Sequence, residues 1–291
     1  MLGQTFDGQI IFEPKKAGSS ITFAGSGGGK TTSVAVPTIQ AMLADTDRAI
    51  FINDVKDGEI AAQIADMCIK YGRKFAVVDD FGVLGADYLH RLSINPFSGG
   101  VTGALNGTDE IMFINENFAH ALVQEPKDDS KNFYWRETPR SLLDLGLNIL
   151  LRQDHRLATP GGLSSFLNDP SMWNAAIEVE ADDETSPLRT AAQQALEMRD
   201  FNPEHWSQHI QAARTALKIF SSGPLSLAGR DADITHEELL RDKWIVCFVN
   251  PARYAERLGA YFALHFLSLL EAQLTGKFGQ AEYVLDEYCN A

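Results

Sequence analysis

The sequence is short of cysteine, of positive charge and of long apolar runs. Its three cysteines, Cys68, Cys247 and Cys289, lie far apart and form no Cys-x-x-Cys pair. That excludes a disulfide framework and a cysteine zinc site, and points to buried thiols in a reducing compartment. Lysine and arginine total 25 against 39 acids, a net charge of −14. So acidic a chain is no general coat for DNA, and basic groups that meet nucleic acid would have to be local, as along a pore. The longest apolar run, within Tyr261 to Leu270, is interrupted by His265 and is too short to span a bilayer. No signal peptide, repeat or low-complexity tract is visible, so the chain is expected to be soluble.

What is present is enough apolar material for a large core, 45% of 291 residues. Continuous short apolar runs read as buried parallel strands: Ile21 to Ala24, Ala49 to Ile52, Phe75 to Val78, Trp244 to Val249 and Tyr283 to Leu285. Four of them end on polar groups: Asn53-Asp54, Asp79-Asp80, Asn250 and Asp286-Glu287. Ligands of open α/β sheets bind beyond the carboxyl ends of the strands, where such groups collect. Between the third and fourth runs the pattern turns helical. Ser141 to Leu151 is rich in leucine, and Trp206, Ile210, Ala213 and Leu217 share one helical face. The expectation is an α/β nucleotide-binding domain in two parts, residues 1–97 and 236–291, with an all-α insertion over 98–235.

The stretch "ITFAGSGGGKTTSVAVP" is a strand, a glycine-rich turn and a helix start. Successive backbone N–H groups in such a turn converge on a phosphate, and side chains would block that approach. Ala24, Gly25, Ser26, Gly27, Gly28, Gly29, Lys30, Thr31 and Thr32 fit the P-loop spacing, with Ala24 in the first glycine position. Lys30 would reach the β- and γ-phosphates of ATP, and the Thr31 hydroxyl would bind Mg²⁺. Pro37 should kink or break the following helix near Val36. Asp286 would hold Mg²⁺ from another strand, and Glu287 would polarise the attacking water. Asp54, Lys56 and Glu59 would share the sheet edge with the nucleotide, or else form a solvated turn closed by Asp57-Gly58.

Other groups are less telling. His205 and His209 have a metal-compatible spacing but no clear third ligand. Arg253 and Arg257 could face a DNA path, a neighbouring subunit or plain solvent. Arg136, Arg140, Arg214 and Arg230 are equivalent candidates for an arginine finger.

In order along the chain, these elements resemble the type IV coupling proteins, the TraG/TraD-type ATPases of conjugation and type IV secretion. "GSGGGKTTSVAVPTI" looks like their Walker A with its trailing proline, "NDVKDGE" like their Asp-x-Lys-Gly-Glu element with Asp57 inserted, and "KFAVVDDFG" like a strand that usually ends in Asp-Pro-Phe. "INPF" is similar to their Asn-Pro element, "FYWRETPRSLL" to the Trp-containing opening of their all-α domain, and "YVLDEYCN" to their Walker B. The resemblance implies a RecA-like P-loop ATPase that forms a homo-hexamer at the cytoplasmic face of a bacterial inner membrane. It implies delivery of single-stranded DNA with its relaxase, or of effector proteins, to the other components of a secretion channel. It also implies a motor cut short just after Walker B, without the strand that usually separates the P-loop and Walker B strands. The runs at Ile21 to Ala24 and Tyr283 to Leu285 would then lack their shared neighbour. Two other readings stay open: an FtsK/HerA-type translocase of double-stranded DNA, and a truncated adaptor that binds substrates and hydrolyses nothing.

Overall fold

A computed structural model describes the chain except residues 1–2, 5–6, 8, 12–20, 24–27, 46, 86, 108–109, 125–132 and 287–291. It is an α/β protein with a four-stranded, all-parallel sheet. Two compact units divide the chain: residues 1–92, 238–256 and 278–291 in one, and residues 93–237 and 257–277 in the other.

The first unit holds the sheet. A small antiparallel ribbon, β1 (Gly3–Gln4) and β2 (Ile10–Ile11), precedes it. The sheet strands are β3 (Ala49–Asp54), β4 (Phe75–Val78), β5 (Ile245–Val249) and β6 (Ala281–Leu285), in the order β4-β5-β3-β6. All residues of β3, β4 and β5 are buried, which is why their sequences run apolar without alternation. One sheet face is covered by helices α1 (Val36–Asp45) and α2 (Glu59–Lys70). Ile39 and Leu43 from α1, and Ile60, Ile64 and Cys68 from α2, pack on Ile50, Ile52, Val77, Cys247 and Val249. Residues His90 to Leu92 strap the outer edge of β4, with Val77 donating to His90 O at 2.8 Å and accepting from Leu92 N at 2.9 Å. Strand β6 pairs with β3 alone, so among the described residues its other edge has no partner strand.

The expectation of a strand at Ile21 to Ala24 needs correction. Residues 21–23 form no strand, and Ile21 and Phe23 are 66% and 80% exposed. A buried strand needs a hydrogen-bonding neighbour, and among the described residues none lies beside this run.

The second unit is helical: α3 (Ser98–Asn106), α4 (Ile111–Leu122), α5 (Phe133–Asp154), α6 (Pro160–Asn168), α7 (Pro170–Asp182), α8 (Arg189–Phe201), α9 (Pro203–Ala216) and α11 (Gly259–Leu274). The short α10 (His236–Arg241) lies across the boundary between the units. Ile210, Ala213 and Leu217 are buried on the predicted face of α9. Residues 257–277, assigned from sequence to the nucleotide-binding part, cluster with the helices because α11 packs on α3 and α4.

The "INPF" element is a hub of the helical unit. Asn95 donates from Nδ2 to Ala158 O at 2.8 Å, and its Oδ1 accepts from Phe97 N at 3.0 Å. Gly229, at φ 75°, lies so close that a Cβ would sit 2.3 Å from Asn95 Cα.

Candidate functional site at the carboxyl edge of the sheet

The described part of the glycine-rich turn ends with Gly29 at φ 74°, a left-handed conformation that glycine adopts freely. A wide helical turn follows at Thr31–Ala35, in which Val36 N donates to Thr31 O. Pro37 explains it. A proline at this place would clash with Ser33 O in a regular α-helix, and the wider turn relieves the clash before α1 begins. The break predicted near Val36 is thus a change of helix type between Ala35 and Val36. Thr31 is buried at 5% exposure. Ala24, Gly25, Ser26 and Gly27 lie outside the described residues, as does Glu287.

Across the sheet, β3 ends in Asp54, fully buried. Its carboxylate accepts from Ala61 N at 2.9 Å and Lys56 N at 3.4 Å, so it caps the amino end of α2 from the strand. The residue at the helix start, Gly58, provides no side-chain cap. Burial pushes the Asp54 carboxyl up to about 6 despite these donors, and the charge of Asp286 adds to the rise. Asp286 follows β6, and Val284, two residues earlier, packs into the α1–α2 core. Asp286 is 7% exposed, and among the described residues its Oδ2 accepts no hydrogen bond. That oxygen faces Lys56 Nζ at 3.4 Å.

The β3–α2 loop brings Lys56 there. Asp57 and Gly58 are both left-handed, at φ 56° and 79°. Asp57 donates from its amide to Asn250 O at 3.2 Å and accepts at Oδ1 from Ala252 N at 3.1 Å. A Cβ on Gly58 would meet Leu84 Cδ2 at 2.5 Å. The Asp57 inserted before Gly58 is therefore a built part of the turn, tied to the end of β5, and the loop is not merely a solvated one.

Asp79, at the end of β4, is otherwise engaged. It accepts from Val83 N and Leu84 N at 2.9 Å each and pairs with Arg91 at 3.1 Å, which closes its own loop. Asn53 Oδ1 and both side-chain polar atoms of Asn250 are buried without a hydrogen-bond partner among the described residues. Nothing in the sequence coupled Lys56 to Asp286, because the two are brought together only by the pairing of β3 with β6.

The remaining candidates separate. Arg140 is 3% exposed and donates from Nε to Val123 O at 2.9 Å, and Arg214 donates to Leu167 O at 2.8 Å. Both close helix carboxyl ends. Arg253 lies over the Tyr254 ring at 4.7 Å. His209 is buried against Trp135 and Tyr134, with ring centroids 4.8 and 4.9 Å away. Among the described residues no group of three or more His, Cys, Asp or Glu could hold a metal by itself.

No helix of the described residues is long and apolar enough to cross a membrane. Comparison with protein-family models and with curated proteins gives no match.

Proposed function

We propose that the chain is the ATP-hydrolysing, RecA-like motor part of a type IV coupling protein. The observation that carries this reading is the meeting of Asp54, Lys56 and Asp286 at the carboxyl edge of the sheet, on the face that the helix after the glycine-rich turn covers. Open parallel sheets bind nucleotides at this edge.

In this reading Lys30 and the turn amides bind the phosphates. Thr31 and Asp286 would hold Mg²⁺, which would supply positive charge against the phosphate oxygens. The fit rests on Asp286 Oδ2, a buried oxygen that accepts no hydrogen bond from the described residues. Glu287 orients and deprotonates the attacking water. Catalysis is positioning and electrostatic stabilisation, without a covalent intermediate. Cargo would be single-stranded DNA with its relaxase, or effector protein, and the working form a homo-hexamer at the inner membrane with other secretion components.

The test is equilibrium binding of labelled ATP with Mg²⁺ to the wild type and to Lys30→Ala. Loss of most of the binding in the variant is expected, and equal affinities would sink the reading.

A further inference from the structure

We propose that Phe81, Arg253 and Tyr254 form a stacking platform for a base of single-stranded nucleic acid, beyond the ends of β4 and β5 and apart from Asp286, which follows β6. The choice of single strands as ligand extends the motor reading, while the platform itself stands without nucleotide binding.

Strands β4 and β5 are parallel neighbours, so the loops that leave them share one edge. Phe81 lies in the loop after β4, and Arg253 and Tyr254 lie in the helical turn Ala252–Arg257 that follows β5. The Phe81 and Tyr254 rings meet at 6.3 Å between centroids, tilted by 39°. The Arg253 guanidinium lies over the Tyr254 ring at 4.7 Å. Arg253 and Tyr254 are exposed and Phe81 is half-buried, so an aromatic surface with a cation stacked on it faces solvent.

Both loops are held from beneath. Asp79 closes the Phe81 loop by accepting from Val83 N and Leu84 N and pairing with Arg91. Asp57 holds the Tyr254 turn, since its Oδ1 accepts from Ala252 N and its own amide donates to Asn250 O. Tyr254 N donates to Pro251 O at 2.9 Å within that turn. Side chains on loops fixed in this way lose little freedom on binding.

The ligand follows from the chemistry of the three groups. Unstacked bases lie on aromatic rings and on guanidinium planes, whatever their sequence. The N–H groups of the same guanidinium can meet the phosphate beside the base. In a duplex each base face is covered by its neighbour, so the platform selects single strands. A net charge of −14 gives phosphates little general attraction to the chain, which leaves stacking a large share of the affinity.

The experiment uses the full chain without nucleotide. Binding of a fluorescent oligothymidylate and of a duplex of the same length is titrated for the wild type, Arg253→Gln, Arg253→Lys and Tyr254→Leu. The wild type should bind the single strand more tightly than the duplex. Arg253→Gln and Tyr254→Leu should each weaken single-strand binding about tenfold, the effect of one lost stacking partner. Arg253→Lys keeps the charge but not the plane, and should recover only part of that loss. No binding by the wild type, equal binding by Arg253→Gln and Tyr254→Leu, or full recovery by lysine overturns the proposal. A second measurement needs no variant: photocrosslinking of an iodouracil-containing oligonucleotide, read by peptide mass, should mark Phe81 or Tyr254. Crosslinks confined to other segments also overturn it. If the substitutions weaken ATP binding and spare the oligonucleotide, the platform holds the base of the nucleotide and the single-strand proposal falls. If Lys30→Ala binds both ATP and the oligonucleotide like the wild type, the nucleotide reading falls and the platform stands.

Discussion

Asp54 carries the most legible energetic signature of the candidate site. In the folded chain its carboxyl is pushed up to about 6 from an ordinary 3.8, chiefly by burial. The folded state therefore holds this proton more tightly than the unfolded state does. The stability due to Asp54 is fully present below pH 4 and is lost as pH rises from about 4 to about 6. Two pKa units correspond to about 3 kcal/mol as an upper figure. Asp54→Asn keeps the shape and removes the titration, at a roughly constant cost of one hydrogen bond. Urea unfolding of both proteins across this range should show the variant gaining on the wild type as pH rises. A difference that stays flat with pH would mean that Asp54 is not held in this environment. The sequence placed Asp54 and Lys56 at the right edge of the sheet. It could not give the Lys56–Asp286 pair, since chain distance hides a contact made by strand order.

At the scale of elements, the apolar runs were the readable part. Four of the five expected strands are found, at 49–54, 75–78, 245–249 and 281–285. Three of them are buried along their whole length, which is why they read as continuous apolar runs, whereas β6 is only partly buried. The fifth run, at Ile21, had the same composition and forms no strand among its described residues. Composition says what could be buried, and pairing decides what is. The "INPF" element, which sequence could place only by resemblance, gains a physical role as the support on which Gly229 rests. Gly229→Ala should therefore destabilise the helical unit by about 2–4 kcal/mol, combining the left-handed backbone with overpacking against Asn95. Gly107, after α3 at φ 61° and ψ 39°, with nothing among the described residues within 4 Å of a Cβ, isolates the backbone part. Gly107→Ala should cost only about 1 kcal/mol. Similar losses for the two variants in urea unfolding would show that Asn95 does not press on residue 229.

At the scale of the whole chain, the two units differ in how their parts are spread along the sequence. The helical unit draws on residues 93–237 and 257–277, with many neighbours close in sequence, whereas the sheet unit is assembled from three separate stretches. Its central strand β3 pairs with β5 and β6, whose residues lie roughly two hundred positions later. Contacts between distant residues form slowly, since the loop must close before any pairing rewards it. In refolding followed by pulsed hydrogen exchange, amides of α5 to α9 should be protected before those of β3. Simultaneous protection would show that the units fold as one. The same arrangement sets an order of events at the ribosome. β3 and β4 emerge early and have no strand to pair with while the helical residues are being made. Each presents a largely apolar strand without its sheet neighbour until β5 arrives, and β3 waits longer for β6. That waiting time is when a nascent chain of this design is most exposed to chaperones, to proteases and to its own copies.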